Sequence, residues 1–420
     1  MIYVVVLALA MLLALNYYWA GSLLAPATLY AAIWCASVTG LLLSGDSLYP
    51  VSDQTLFLYF LGALAFSLGA VLADVYLPIG SNCSTASWGI GGRFLYFFLD
   101  AILVIVMLGL PVFLTGLVDR VDFDDPTRYF AAIRQAAIEA SGQVTTFSVV
   151  RNLSVVALLM AMAMHYEDNG TAARRWRAYL AIGIALIYAV AEGTKGNAVI
   201  FITMLLFISW VKAGRINPKQ LIIGGATVLV VFSAGLLIVN YAYMDTGGLV
   251  ESAAFLLPVI QNYWLGGLVA FDRIMLDPNS IEAVQSVSRF FLETANSLGA
   301  NYPVPSLHAE YTDISATMDT NTYTIYYTYF LDFGWYGTVV WLAFLGAILT
   351  WVFRLARRGM PIAVMLYAIA AVGIVFSFHA EHFLLALNFI LKTVIFFSFV
   401  YLVVARIAPV KWGVGRPSNA

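Results

Sequence analysis

The sequence predicts an all-α polytopic membrane protein with about eleven transmembrane helices. Of its 420 residues, 62% are hydrophobic and only 10% are charged, whereas soluble domains carry roughly 25% charged residues. Apolar runs of about 18 residues or more, each long enough to span a bilayer core, recur along the whole chain. We therefore expect a single integral membrane domain over residues 1–420, and the composition excludes a soluble binding module.

The predicted spans follow one another through short connections, with one long exception. They lie near residues 2–19, 23–43, 55–77, 94–115, 146–165, 178–191, 197–212, 220–240, 324–353, 362–378 and 383–405. The ninth looks broken at Gly334. The first lacks a basic leader and a small-residue cleavage site, so we interpret it as a retained span. Cys35 and Cys83 are too few and too badly placed for a disulfide framework.

The distribution of basic residues predicts the orientation of the chain. Short segments rich in Arg and Lys face the cytoplasm, and here they lie at 174–177, 212–219, 354–358 and 406–416. Neighbouring basic segments are separated by two spans, so the assignment is self-consistent. It places the N-terminus outside and the C-terminus inside.

Four segments then face outward, namely 44–54, 116–145, the turn 192–196 and the long segment 241–321. In the second, Asp125 and Pro126 are typical of a helix start. Tyr129, Ile133 and Ala137 would share one face of that helix, which predicts an amphipathic helix on the membrane surface. The segment 241–321 is too long to lack structure of its own, and we expect a large helical external loop.

Basic residues on the outer side are uncommon, so they are candidates for binding phosphate groups. Lys195 is the sharpest case, because it lies between Gly193 and Gly196 at the mouth of two spans. The N–H groups of such a turn can also face an anion. The alternative is that Lys195 snorkels to lipid headgroups and pairs with Glu192. The other external bases are Arg120, Arg128, Arg134, Arg273 and Arg289, with Arg151 a short way into the fifth span.

Charged side chains inside spans are costly and usually face the protein interior or a water-filled cavity. Asp100, Asp332 and Lys392 are residues of this kind. We expect them to be satisfied by an internal ion pair, for instance between Lys392 and Asp100 or between Lys392 and Asp332. Asp74 lies near the end of a span and needs no special explanation.

Three histidines are predicted on the outer side. His379 and His382 flank Glu381 in the short connection FHAEH, and His308 lies with Glu310 in the long external loop. Histidine is the usual general base near neutral pH, and the alternative is that these are hydrogen-bonded interface residues. No third ligand stands nearby with the spacing of a metal site, so we do not expect zinc.

The stretch NTYTIYYTYFLDFGWYG, from Asn321 to Gly337, begins a span with five tyrosines, a tryptophan and an aspartate. One interpretation is an aromatic belt at the membrane surface. That interpretation does not explain the Asp-Phe-Gly sequence, which favours a broken helix lining a cavity. Tyrosine rings with hydroxyls suit contact with sugars, and we expect Asn321 and Thr322 to cap the helix.

The same stretch, continued as TVVWLAFLGAI, resembles the late segment of bacterial oligosaccharide repeat-unit polymerases, the Wzy-type O-antigen polymerases. AEGTKGNAVIF is similar to an earlier external turn of that family, although Lys195 stands where an arginine is usual. The number of spans and the one long external loop also agree with the family. The resemblance covers residues 180–400 in detail and the rest of the chain in layout.

The resemblance implies a GT-C-like membrane glycosyltransferase of the bacterial inner membrane that needs no metal or cofactor and whose active site faces the periplasm. Its substrate would be an undecaprenyl-diphosphate-linked oligosaccharide, whose growing chain is transferred onto a new lipid-linked unit. Lys195 and Arg289 would stabilise the departing diphosphate, with Arg273, Arg128 and Arg151 behind them. His308 or His379 would be the base, with His382 and Glu310 in reserve. The expected sugar-binding residues are Asn321, Tyr323, Tyr326, Tyr327 and Trp335.

Two alternatives remain open at this point. A lipid-linked oligosaccharide flippase or transporter would share the many spans and the intramembrane charges, although such proteins often show internal repeats. An O-antigen ligase of the same fold would join the glycan to a lipid core. Membrane lipid is an expected partner and nucleic acid is not, while the sequence leaves open whether a chain-length regulator binds.

Overall fold

The computed structural model describes residues 1–77, 92–118, 146–168, 170–191, 195–243, 256–276, 289–303 and 311–403. Eight long helices come first within these ranges, and a helix covers each of the first eight predicted spans. They are α1 (Ile2–Ala20), α2 (Pro26–Ser44), α3 (Asp53–Tyr76), α4 (Gly92–Val118), α5 (Thr146–Glu167), α6 (Ala172–Ala191), α7 (Lys195–Ala213) and α8 (Pro218–Tyr243). The predicted surface helix in 116–145 lies almost wholly outside the described residues.

The segment between α8 and the ninth predicted span is folded where it is described. It contains α9 (Leu256–Gln261), a π-helical turn (Asn262–Gly266), α10 (Gly267–Leu276) and α11 (Arg289–Ser297). Two short antiparallel strands follow, β1 (Thr312–Asp313) and β2 (Asp319–Thr320), with Thr312 opposite Thr320. The last three helices are α12 (Ile325–Arg357), α13 (Pro361–Val375) and α14 (Leu387–Ser398), the last ending in a π-helical turn (Phe399–Val403).

Six helices in the described part of the chain are long and apolar enough to cross a membrane. They are Ile2–Ala20, Pro26–Ser47, Asp53–Tyr76, Leu95–Gly116, Gly196–Ala213 and Ile325–Arg357. Stripes of large apolar side chains are exposed along several of them, as with Tyr336, Val340 and Phe344 on α12. Exposed apolar faces of this extent indicate contact with lipid. The chain is therefore an all-α membrane protein.

The helices build two apolar cores that meet along α13. The first core packs α4, α5, α6, α7, α13 and α14 around residues such as Tyr188, Phe201 and Tyr367. The second core packs α1, α2, α3 and α12 around Trp34, Tyr59 and α10. Helix α10 is thus buried, although it belongs to the segment expected outside the spans. Its amphipathic sequence explains this, because its apolar residues Leu268 and Phe271 lie on the face turned to the core.

Helix α12 crosses α3 along a seam of glycines that brings the two backbones into close approach. A Cβ atom at Gly69 would lie 1.8 Å from the carbonyl oxygen of Ala343, and one at Gly346 would lie 2.1 Å from that of Phe66. Small residues of this kind allow membrane helices to pack closely. The same helix contains the predicted break, since Gly334 has φ 66° and ψ −166° inside Ile325–Arg357. This conformation is essentially restricted to glycine.

The segments predicted to be cytoplasmic lie at one end of the helix bundle, and those predicted to be external lie at the other. At one end, Arg354 donates to the carbonyl oxygen of Ala73 at 2.9 Å, and Arg357 donates to that of Gly214 at 2.8 Å. At the other end, the Tyr49 amide donates to the carbonyl oxygen of Ile314 at 2.8 Å. Segments predicted on one side of the membrane therefore contact each other. We call the first the basic end and the second the connection end.

Candidate functional site

The candidate site lies at the connection end, where residues 376–386 link α13 to α14 between the two cores. This connection is held against the start of α12, because the Ile325 amide donates to the carbonyl oxygen of Ser377 at 2.8 Å. It also passes close to Gly267, where an added Cβ would lie 2.9 Å from the carbonyl oxygen of Phe378. Its two histidines and one glutamate are thereby placed at the junction of the cores.

Glu381 is the anchor of the connection, with only 3% of its surface exposed. Its Oε1 accepts hydrogen bonds from the Tyr329 hydroxyl at 2.9 Å and from the Phe383 amide at 2.7 Å. The Leu384 amide, at 2.9 Å, and the Leu385 amide, at 2.8 Å, donate to Oε2. Burial raises the pKa of Glu381, and these hydrogen bonds oppose that rise.

His379 lies against the π-helical turn Asn262–Gly266. Its ring lies 5.6 Å from that of Tyr263, whose backbone forms a hydrogen bond with the imidazole. Among the described residues, Nδ1 of His379 is buried without a hydrogen-bond partner, so the bond to Tyr263 uses Nε2. Burial lowers the pKa of His379, so the ring is neutral at neutral pH and Nδ1 carries a lone pair.

His382 faces a cavity within the first core. Burial, aided by the nearby His379, lowers its pKa to about 4. Its Nε2 is buried, and no hydrogen-bond partner is found for it in the part of the chain that the structure describes. A neutral imidazole with one unsatisfied nitrogen is costly in an apolar setting.

A cavity of about 260 Å³ lies beside His382, enclosed by α5, α6, α7, α13 and the start of α14. Most of its wall is apolar, and the polar side chains on it are Ser154, Asn197 and His382. Asn197 is in the first turn of α7, two residues after Lys195. The structure thus brings His382 and the head of α7, both predicted from the sequence, to one cavity.

Lys392 lies one helical turn from the cavity residue Phe389, and its Nζ donates to Oδ1 of Asn152 at 2.9 Å. The expected ion pair between Lys392 and Asp100 is wrong. Asp100 instead pairs with Arg177 at 3.2 Å, near the basic end of the bundle. The sequence pattern did not predict this pairing, because the register of α4 against α6 is a tertiary property.

The aromatic residues at the start of α12 divide into two groups. Tyr326 is fully buried in the second core, 4.6 Å from the ring of Trp34, so the predicted role in sugar binding does not fit this packing. Tyr323 and Tyr327 stack on each other at 4.3 Å, and the Tyr323 hydroxyl lies 2.6 Å from Oγ1 of Thr312. Trp335 is only partly buried, beside Phe330.

The N-terminus of α12 also differs from the expectation. The residue in the N-cap position is Thr324, and its side chain makes no capping hydrogen bond. Asn321 and Thr322 therefore precede the helix and do not cap it. The chain reaches the helix through a hydroxyl pair instead, since Oγ1 of Thr322 lies 2.8 Å from Oγ1 of Thr320 in β2.

Two of the predicted external arginines are engaged elsewhere. Arg289 forms an ion pair of 2.7 Å with Glu293 on α11. Arg273 stacks on the ring of Tyr49 at 4.3 Å, on the side of the second core. The side chains of Lys195 and Arg151 lie outside the described residues, as do Arg128, His308 and Glu310.

The sequence interpretation missed several residues of the site. Asn197 gives a weak signal, because it is a polar residue at the outer end of a predicted span, and Ser154 gives one as a polar residue inside a span. The sequence identifies Glu381 only as the residue between two histidines and does not predict its four hydrogen-bond donors. The Tyr329 hydroxyl comes from a segment distant in the sequence, whereas the amides of Phe383, Leu384 and Leu385 depend on the path of the chain directly after Glu381.

The fold and the site define an α-helical membrane protein with a largely apolar cavity and two neutral histidines at one end of the bundle. Among the described residues, no group of three His, Cys, Asp or Glu side chains is placed to hold a metal ion. Comparison of the chain with protein-family models, with curated proteins and with solved structures finds no match.

Proposed function

We propose that the protein is a membrane glycosyltransferase that polymerises oligosaccharide repeat units carried on undecaprenyl diphosphate. The observation that carries the proposal is the cavity, which combines a largely apolar wall with His382 and Asn197 at its connection end. An isoprenoid chain requires an apolar wall, and its diphosphate requires polar groups at one end of that wall. The resemblance of residues 321–348 to Wzy-type polymerases supports the choice of reaction.

In this proposal the eleven apolar helices cross a bacterial inner membrane in a GT-C-like arrangement, and the connection end faces the periplasm. The basic segments 174–177, 212–219 and 354–358 support that orientation, because such segments face the cytoplasm. The lipid-linked substrate then meets the site from the periplasmic leaflet. Helix α7 begins at Lys195, and its N-terminal N–H groups favour an anion close to Asn197.

The reaction transfers the growing glycan from its lipid carrier to a new unit. An acceptor hydroxyl oxygen forms a bond to the anomeric carbon of the growing chain, while the bond from that carbon to the diphosphate oxygen breaks. The diphosphate leaves with the electron pair, stabilised by Lys195 and the N-terminus of α7. The hydroxyl proton passes to an imidazole nitrogen. The place of His382 on the cavity wall favours it over His379, which lies against Tyr263 away from that wall.

The test uses the purified full-length protein in detergent with undecaprenyl-diphosphate-linked repeat units and no nucleotide sugar. A ladder of products on a gel is the expected result. Two substitutions on α6 test whether this activity depends on the cavity. Ala189→Phe fills the cavity, whereas Val190→Phe, at a side chain that is 54% exposed, changes an outward position on the same helix. The phenyl ring would occupy the space proposed for the isoprenoid, so Ala189→Phe should lose most of the ladder.

Three results decide between the functions. A ladder that Ala189→Phe removes and Val190→Phe retains supports the polymerase and the cavity as its lipid site. If both variants keep the ladder, the result supports the polymerase reaction and shows that the cavity is not its lipid site. The absence of a ladder, with movement of the same lipid across proteoliposomes, would instead establish a transporter, a class in which broken helices such as α12 are common.

A further inference from the structure

We propose that Glu381 is a positioning residue of the connection 376–386, whose buried carboxylate directs His379 toward Tyr263 and His382 toward the cavity. The positioning itself stands on the geometry of the connection. Its consequence for glycan transfer rests on the proposed function.

The carboxylate of Glu381 is matched to the groups around it. It receives one hydroxyl, from Tyr329, and the amides of three consecutive residues, Phe383, Leu384 and Leu385. An ionised carboxylate only accepts hydrogen bonds, and here every described partner is a donor. Consecutive amides turned toward one anion form a concave arrangement, which determines the path of the chain immediately after His382.

The two histidines are held by this path. In the sequence, His382 lies between Glu381 and the three residues whose amides bind the Glu381 carboxylate. The backbone of His382 is therefore restrained on both sides. Ahead of it, the His379 amide donates to the carbonyl oxygen of Phe376 at 2.9 Å. The hydroxyl of Tyr329 ties the carboxylate to α12, which lies in the second core. As a result His379 meets Tyr263, while His382 reaches the cavity in the first core.

Glu381→Gln should disturb this arrangement although it preserves the shape of the side chain. An amide offers one acceptor oxygen and an NH₂ group that donates. Either orientation of the amide would therefore turn N–H groups toward backbone N–H groups. The matched control is Glu167→Gln. Glu167 is a partly buried glutamate near the basic end, and its Oε1 accepts a hydrogen bond from the Tyr401 hydroxyl at 3.0 Å.

The experiment is a titration of ring-¹⁵N-labelled histidine in the full-length protein by nuclear magnetic resonance. The chain contains four histidines, His165, His308, His379 and His382, so the signals can be assigned by single substitutions. In the wild-type protein His382 should titrate near 4. In Glu381→Gln it should move toward about 6.5, the value of a solvated imidazole, while Glu167→Gln should leave it unchanged. A purely stabilising role for Glu381 would lower the melting temperature without changing the titration.

Tyr329→Phe provides a second variant if Glu381→Gln does not fold. It removes one hydroxyl and leaves the three amide bonds, so a smaller shift in the same direction is expected. Unchanged histidine titrations in the folded variant, or an equal shift in Glu167→Gln, would overturn the positioning role. The polymer ladder is read separately. If the histidine pKa values shift while the ladder is undiminished, the positioning role of Glu381 stands and the histidines do not take part in catalysis.

Discussion

The hydroxyl of Tyr326 donates a hydrogen bond of 2.9 Å to the main-chain carbonyl oxygen of Tyr59 inside the second core. Tyr326 begins a membrane-spanning helix, in a stretch whose tyrosines resemble a sugar-binding surface. The structure instead uses its ring as a core residue, 5.1 Å from the ring of Tyr59. Tyr323 and Tyr327 are buried in the same core, where their rings stack on each other at 4.3 Å.

Substitution of Tyr326 should therefore affect stability more than substrate contact. Tyr326→Phe removes one buried hydrogen bond, which should cost about 1 kcal/mol, and Tyr326→Ala should cost roughly 3–5 kcal/mol through the cavity it leaves. The melting temperature of the purified protein measures both. Tyr336→Ala, at a side chain that is 90% exposed, is the control and should change little. If Tyr326→Phe lost polymer while its melting temperature stayed unchanged, the Tyr326 hydroxyl would contact the substrate and the core role would be wrong.

The glycine seam between α3 and α12 should tolerate no side chain. Gly69→Ala and Gly346→Ala each place a methyl group against a backbone carbonyl, at 1.8 Å and 2.1 Å. Backbone cannot move aside as a side chain can, so we expect a marked fall in melting temperature, of the order of an overpacked core. Gly183→Ala in α6 is the matched control, because nothing lies within 4 Å of the position that its added methyl group would take. That substitution should be neutral or stabilising, since alanine favours helix by about 1 kcal/mol.

The stability of the protein should fall with acid because of His382. Its pKa is about 6.5 in the unfolded chain and about 4 in the folded protein. The unfolded chain therefore takes up this proton first as the pH falls, and stability is lost between about pH 6.5 and about pH 4, by at most about 3–4 kcal/mol. Thermal unfolding followed by tryptophan fluorescence measures the loss.

The matched variant for this pH effect is His382→Gln, which should flatten the dependence between about pH 6.5 and about pH 4. The comparison is needed because Glu381 acts in the opposite direction. Burial raises its pKa, so acid protonates it more readily in the folded protein than in the unfolded chain. Identical acid slopes for the wild type and His382→Gln would show that the His382 ring is solvated.

Substitutions of Lys195 should show whether its positive charge or the shape of its side chain matters for activity. Lys195→Ala should abolish polymer, because the diphosphate would leave without its cation, and Lys195→Arg should keep much of the activity. The product ladder measures both variants. Wild-type polymer from Lys195→Ala would remove this residue from the diphosphate site and support snorkelling to lipid headgroups.

Much of the fold follows from features that act locally. A stretch of apolar residues buries its backbone polar groups only by forming a helix in a membrane, so a helix is found at each predicted span. The break at Gly334 was also predictable, because only glycine adopts the observed conformation without strain. The relation between the two ends of the bundle followed from the positions of arginine and lysine.

The site was predictable only in part. The histidines of the connection and the turn before α7 could be selected by residue type and by their place at span ends. Their grouping around one cavity could not, because the rotation of each helix decides which residues face it. Tyr326 and Tyr327 show the limit. They are adjacent in the sequence, yet one ring packs against Trp34 and the other against Tyr323.

The sequence alone determined that the chain is helical and membrane-embedded, which stretches form its long helices, and which of their ends lie together. These properties depend on composition and on charges near each span. Only the tertiary structure decided that α10 is buried, that Asp100 pairs with Arg177, and that Glu381 holds the connection between the cores. The physical reason is that such contacts join distant segments, and their geometry depends on how whole helices cross and rotate against each other.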